Sequence, residues 1–238
     1  MLDNLREDAR RHGTFKALQS LFWWTLHSRL KVDVFKISLR PIDNRLKSDP
    51  SSHPGYEVKV VDPEILREAC RDPELDISTE LAEAAIANGD VITGAFKNGR
   101  LVSYVFATHV SAPHDAFFSV RVPPKMRYAY KGYTHPEHRG LHLMYAMSHL
   151  RARNDIFIQR GCKQHIAFIG AWNLSSLRSN RRTSTNRFIG YAVNAYWGKR
   201  PVSFLTPRVK ETGFRFVAQS RVENSTVAER VDQLPTGP

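Results

Sequence analysis

The sequence predicts a mixed α+β (α/β) fold with one central sheet and helices on its faces. Two observations carry that expectation. Segments of alternating apolar and polar residues, rich in Val, Ile, Phe and Tyr, interleave with segments whose apolar residues recur at helical spacing. From Tyr56 their order is strand, two helices, three strands, helix, strand, helix, two strands, a mixed order that implies a single sheet covered by helices. Composition permits a core of that kind. Hydrophobic residues make up 42% and charged residues 24% of 238 residues, ordinary values for one well-buried domain with extra segments.

The elements follow from local signals. Thr14 is placed to N-cap a helix reaching about Leu30, with Phe15, Leu18, Leu21, Phe22, Leu26 and Leu30 near helical spacing and Trp23 and Trp24 widening that face. Val32 to Leu39 alternates as a strand ending before Pro41. Residues 46–55 are rich in Pro, Ser and Gly and read as a linker, so residues 1–45 form an N-terminal helix and strand extension. The main domain then spans 56–220, followed by a polar tail over 221–238. Within it, Tyr56 to Asp62 is a strand, Pro63 opens a helix, and Ser78 caps a second helix that stops at Gly89. Asn98-Gly99 turns a hairpin between two apolar runs. The stretch AFFSVRV is a short strand or a loop. KMRYAYKGYTH is the next long strand, and LHLMYAMSHLRARNDIFIQRG reads as one helix ended by Gly161. KQHIAFIGAW, SSLRSNRR and RFIGYAVNAYW give strand, short helix and strand, and PVSFLTPRV or ETGFRFVAQ supplies the last strand.

Charge narrows the partners. The net charge is +12, and Arg121 to Arg215 holds 18 basic residues against 3 acidic ones. A field of that sign suits a polyanion such as coenzyme A; nucleic acid is the less favoured alternative, and a merely basic surface is the third. The two cysteines, Cys70 and Cys162, form no CxxC pair, which points to a reducing, cytoplasmic setting. The charged start of the chain carries no secretory pattern, and no apolar run approaches the ~20 residues of a membrane span. Phe22, Trp23 and Trp24 beside Arg29 and Lys31 leave open a peripheral membrane contact through residues 15–31, packing on the body of the domain, or a homodimer.

One stretch carries more than composition. YKGYTHPEHRG, Tyr130 to Gly140, ends a strand and leads at once into a helix. Gly161-Cys162, the strand KQHIAFIGAW and NLSSLRS follow in order. This succession resembles the GNAT superfamily of N-acetyltransferases over roughly Tyr56 to Val217. The resemblance implies a mostly antiparallel central sheet splayed between its fourth and fifth strands. It implies an acyl-CoA-dependent N-acyltransferase, with acetyl-CoA as the default cosubstrate and the amine of an unidentified small molecule as acceptor. The alternative is a non-catalytic module of the same fold that binds a polyanion, a membrane surface or nucleic acid.

The resemblance also assigns residues. The turn Arg139, Gly140, Leu141, His142, Leu143 and Met144 would cradle the coenzyme pyrophosphate, because backbone amides at a helix start form an anion site, and Thr134 and His135 would also bind the coenzyme. Asn173 and Ser176 match the family's Asn-x-x-Ser and would join the coenzyme site. The backbone N–H at Thr134 would stabilise the oxyanion. Read from the residues themselves, Tyr133 or Tyr130 on the long strand is the candidate acid or substrate contact, with Tyr133 preferred, and Glu137 is the candidate base or fixes the turn. The sequence departs from the family at three positions: His142 stands for the first motif glycine, Met144 for the final small residue, and Asn180 for the usual Tyr. Arg178, Arg181, Arg182 and Arg187 would hold a phosphate or form a solvated face. Ser175-Ser176 lacks a nucleophile elbow. His109, His114, His135 and His165 share no metal-ligand spacing, so no metal is expected.

Overall fold

A computed structural model describes Arg10 and residues 13–42, 54–174, 176–177, 186–197 and 200–219. The expected linker falls outside these except for its last two residues. Ser175, Arg178, Asn180, Arg181, Arg182 and the 221–238 tail also lie outside the described residues. In chain order the elements are α1 (Thr14–Leu30), β1 (Val32–Pro41), β2 (Glu57–Val60), α2 (Pro63–Ala69), α3 (Thr79–Ala87), β3 (Val91–Lys97), β4 (Arg100–Thr108), β5 (Ser111–Pro113), β6 (Phe118–Arg121), β7 (Met126–Thr134), α4 (Leu143–His149), α5 (Arg151–Gln159), β8 (Gln164–Gly170), β9 (Arg187–Trp197), β10 (Arg200–Leu205), α6 (Pro207–Glu211) and β11 (Arg215–Ala218). The fold is mixed α+β, and every strand pair with a described register is antiparallel. The chain forms two compact units.

The hairpin unit comprises residues 41–112 and 122–165. Its strands run in the order β7-β4-β3-β2. Asn98 (φ 51°) and Gly99 (φ 80°) close the β3–β4 hairpin in the left-handed conformation that such a tight turn requires. Ser78 Oγ accepts from Leu81 N–H at 3.1 Å and caps α3 as expected. Val58, Ala95, Val102 and Val105 of the sheet pack on Leu143, Ala146, Met147 and Leu150. Each fully buried aliphatic side chain there contributes roughly 1.5–3 kcal/mol.

One expectation fails in this unit. The single helix over 141–161 is two helices, broken at Leu150 (φ −54°, ψ 124°). The break leaves carbonyls at the end of α4 without helical partners. Two buried arginines supply them: Arg153 Nη1 donates to Met147 O at 3.3 Å and Arg127 Nη2 to Ser148 O at 3.4 Å. Arg127 Nη1 also donates to Asn154 Oδ1 at 2.6 Å, which ties the start of α5 to β7.

The aromatic unit comprises residues 1–40, 113–121 and 166–238. Its strands run β10-β9-β1-β8, counting β8 here by most of its length. The N-terminal segment, expected to be an extension, therefore supplies an interior strand. Val34, Phe35 and Ile37 of β1 are buried. The Phe35 ring lies 5.0 Å from Phe168, 5.2 Å from His114 and 5.5 Å from Phe216, the centre of an aromatic cluster that also takes Phe214. AFFSVRV is resolved as β6, which pairs with β11, and both candidates for the last strand form strands.

α1 runs as expected, except that Gly13 and not Thr14 occupies its N-cap. His27 holds it to the unit by stacking on Trp172 at 4.8 Å and by contacting the Asp33 carboxylate. Phe15, Leu18, Phe22, Trp24 and Leu30 of this helix remain exposed. Among the described residues no helix is long and apolar enough to cross a membrane.

Candidate functional site

The candidate turn begins with an irregularity in β7. Val105 of β4 faces Gly132 while Phe106 faces Tyr130, so Lys131 (φ 22°) is the extra residue of a bulge. Its ammonium pairs with the Asp76 carboxylate. Past the bulge, Ser103 faces Thr134, and His135 N–H donates to Val102 O at 2.9 Å. That bond marks Ser103–Thr134 as a non-hydrogen-bonded antiparallel pair, so the Thr134 N–H points away from β4. The Thr134 hydroxyl lies 2.7 Å from Ser103 Oγ, which itself donates to Tyr133 O at 2.8 Å.

Pro136–His138 then forms a single 3₁₀ turn. Arg139 folds back, its Nε donating to Thr134 O at 3.2 Å. Gly140 (φ 84°) and His142 (φ 58°) are both left-handed, and α4 starts at Leu143. The His142 carbonyl accepts from Tyr145 and Ala146 N–H, at 2.9 and 3.2 Å. Among the described residues the N–H groups of Gly140, His142, Leu143 and Met144 have no acceptor. The amides of His142, Leu143 and Met144 are successive, and unpaired amides beside left-handed residues form a nest for an anion. α4 has only seven residues, so its dipole adds little beyond those amides.

Both departures at this turn have a structural reading. His142 keeps the left-handed backbone that glycine would adopt without strain, and it costs about 1–2 kcal/mol to do so. Met144 points back into the sheet: a Cβ added at Gly132 would lie 2.4 Å from its Cε, and its Sδ lies 3.9 Å from Ser103 Oγ. Its bulk therefore fills the space over Gly132 and does not cover the nest. Leu143 is buried beside it, whereas Leu141 and His142 are exposed.

The titratable candidates are placed differently from one another. Tyr133 stacks on Tyr104 with centroids 5.7 Å apart and is half-buried. Burial pushes its hydroxyl above the usual phenol range; the Arg139 charge opposes this, and Asp76, Glu74 and Asp72 add to it. Tyr130 is buried and its hydroxyl is spent on the Asp90 carboxylate. Glu137 is exposed on the 3₁₀ turn and has no ion-pair partner among the described residues. Asn173 and Ser176 belong to the aromatic unit, where Asn173 Oδ1 accepts from Ser176 N–H at 2.9 Å and caps the following turn. That cap by itself accounts for an Asn-x-x-Ser pattern. Arg187 is exposed at the start of β9.

The structure also gathers groups that sequence reasoning missed. One ligand atom each from His135, Glu137 and His138 lies within 4.8 Å of the others. The expectation of no metal considered His109, His114, His135 and His165, and the signal it passed over was local: His-Pro-Glu-His puts two histidines three apart across a 3₁₀ turn, where side chains at i and i+3 eclipse.

No protein-family model matches the sequence, and no curated protein matches it. Solved structures similar to this chain are known. One, from Novosphingobium aromaticivorans and assigned to the GNAT family of acetyltransferases, has 16% identity and a TM-score of 0.43, over 68% of this chain and 62% of that one. A tandem GNAT protein of the clavulanic acid biosynthesis pathway has 14% identity and a TM-score of 0.44, over 71% and 55%. The PaiA N-acetyltransferase of Thermoplasma acidophilum, in complex with coenzyme A, has 11% identity and a TM-score of 0.36, over 59% and 99%. The chain spans less than two thirds of the length of the first two. The first two of these structures are assigned to GNAT.

Proposed function

We propose that this protein is an acyl-CoA-dependent N-acyltransferase that passes an acyl group, acetyl by default, to a small-molecule amine by direct attack. The observation that carries the reading is the nest at Gly140, His142, Leu143 and Met144, four amides without an acceptor among the described residues, one 3₁₀ turn after a bulged strand. An anion the size of a pyrophosphate suits such a turn, and Arg139 precedes it in the chain. The same reading gives the Thr134 N–H the oxyanion of the tetrahedral intermediate, since it is turned away from β4.

Proton transfer completes the proposal. Tyr133 would protonate the departing thiolate. Its raised pKa keeps the hydroxyl protonated through neutral pH and also makes it a weaker acid. Glu137 is the proposed base and, being exposed, would act on the amine through solvent. A positioned acid contributes ~10²–10⁴-fold, so we expect Tyr133→Phe to lower kcat by about tenfold or more with little change in coenzyme affinity. Unchanged kcat with an accepted amine removes Tyr133 from the mechanism.

The reading is tested by thermal unfolding with acetyl-CoA, longer acyl-CoAs and CoA. At a concentration ~100-fold above Kd the stabilisation is about 2.7 kcal/mol, or roughly 5–10 °C for a domain of this size. No shift with any of them at millimolar concentration overturns it.

A further inference from the structure

We propose that His135, Glu137 and His138 bind a divalent transition-metal ion, with zinc the best chemical match. The inference does not rest on the acyltransfer reading. The local backbone makes the cluster. Pro136 fixes the first position of the 3₁₀ turn, and three residues per turn bring the side chains of His135 and His138 to one side, ring centroids 5.6 Å apart. Glu137 lies between them in sequence, and its carboxylate oxygen completes a set of three donor atoms within 4.8 Å of one another. A tetrahedral zinc with ligands about 2.0–2.1 Å away needs donors about 3.3 Å apart, so side-chain rotation has to close the set by about 1.5 Å at most.

The surroundings of the two rings supply a second observation. A metal-bound histidine characteristically gives its other ring nitrogen to a hydrogen-bond partner, which fixes its tautomer. Here His138 Nδ1 is 3.0 Å from the Tyr56 hydroxyl, leaving Nε2 for a metal. His135 Nε2 lies 3.6 Å from the Glu74 carboxylate, within ion-pair reach though beyond a hydrogen bond, and its Nδ1 is buried with no hydrogen-bond partner among the described residues. A buried ring nitrogen with nothing to bond is costly, and a metal ion would satisfy it. Two imidazoles and one carboxylate suit zinc, cobalt or nickel better than calcium or magnesium, and three protein ligands leave a position for water or another ligand. A metal here would take Glu137 out of proton chemistry.

The test uses the untagged full chain, stripped with chelator and titrated with Co²⁺ alone. We expect one equivalent to bind with the visible absorption of a four-coordinate site, and Zn²⁺ to displace it. His138→Gln and Glu137→Gln should each weaken Co²⁺ binding by at least about tenfold, and Tyr56→Phe by about 10–100-fold through the second nitrogen of His138. Glu137 is exposed, so its variant keeps the test meaningful even where a histidine variant fails to fold. Absence of stoichiometric Co²⁺ binding overturns the proposal, as does wild-type binding by the Glu137→Gln and His135→Gln/His138→Gln chains. Thermal shifts with acyl-CoA in the stripped protein report separately on the acyltransfer reading.

Discussion

Removal of residues 1–41 is expected to abolish folding of the aromatic unit. β1 lies between β9 and β8 and pairs with β9 from Val32↔Ala195 to Leu39↔Arg187. Further bonds from Ala171 N–H to Val34 O, at 2.7 Å, and from Tyr196 N–H to Lys31 O, at 3.1 Å, would be lost with it. Val34, Phe35 and Ile37 are buried, and at roughly 1.5–3 kcal/mol each their removal matches most of the ~5–15 kcal/mol that holds a domain together. The loss would not stop at apolar area. The single hydroxyl proton of Tyr196 lies between Asp33 at 3.1 Å and Asp115 at 2.5 Å, and without Asp33 this part-buried arrangement keeps only Asp115. The truncated chain should show no near-ultraviolet circular dichroism from the aromatic cluster. Ile37→Asp in the full chain, which places a carboxylate at a fully buried position, should have the same consequence. A soluble truncation with a cooperative melt and an intact aromatic signal would show that β1 is dispensable.

That prediction also marks where the sequence stopped being readable. Elements fixed by nearby residues were legible: the Asn98-Gly99 hairpin, Pro63 opening α2, the Ser78 cap, and α1 to within a residue at its start. The position of β1 was not, because a strand's own residues do not name its neighbours. Pro- and Ser-rich residues after it read as a linker, and a linker suggests an extension, yet pairing with residues 187–195 makes β1 interior. The break at Leu150 was hidden for a related reason. No Gly or Pro interrupts LHLMYAMSHLRARNDIFIQ, and the carbonyls freed there are answered from Arg127, far away in sequence, as well as from Arg153. At the turn, the strand end, the turn and the helix start between Thr134 and Leu143 were legible in order, and what the sequence hid was direction. Met144 stands where the resemblance expects a small residue, and its side chain fills the space above Gly132. Asn173 reads as a ligand contact, and its oxygen is engaged by Ser176 N–H.

Substitutions at the two left-handed residues of the turn should separate backbone from side chain in coenzyme binding. Gly140 is at φ 84° with nothing within 4 Å of an added Cβ, so Gly140→Val meets strain and not a clash. A β-branched residue there costs upwards of about 1–2 kcal/mol and drives the turn away from left-handed geometry, which scatters the amides. His142→Val does the same at φ 58°. Each should weaken acyl-CoA binding by about 100-fold, equivalent to about 2.7 kcal/mol. Arg67→Ala, which only removes an exposed ion pair with Glu83, should leave the affinity unchanged. His142→Gly is the informative contrast. Glycine keeps the N–H and adopts the same φ without strain, so affinity should stay within about threefold of wild type while stability rises by up to about 1 kcal/mol. Isothermal titration with CoA and acetyl-CoA reads the first quantity and thermal unfolding the second. If His142→Gly binds more than tenfold more weakly than wild type, the imidazole and not the backbone holds the anion. If Gly140→Val and His142→Val bind as wild type does, the coenzyme phosphates do not sit at this turn.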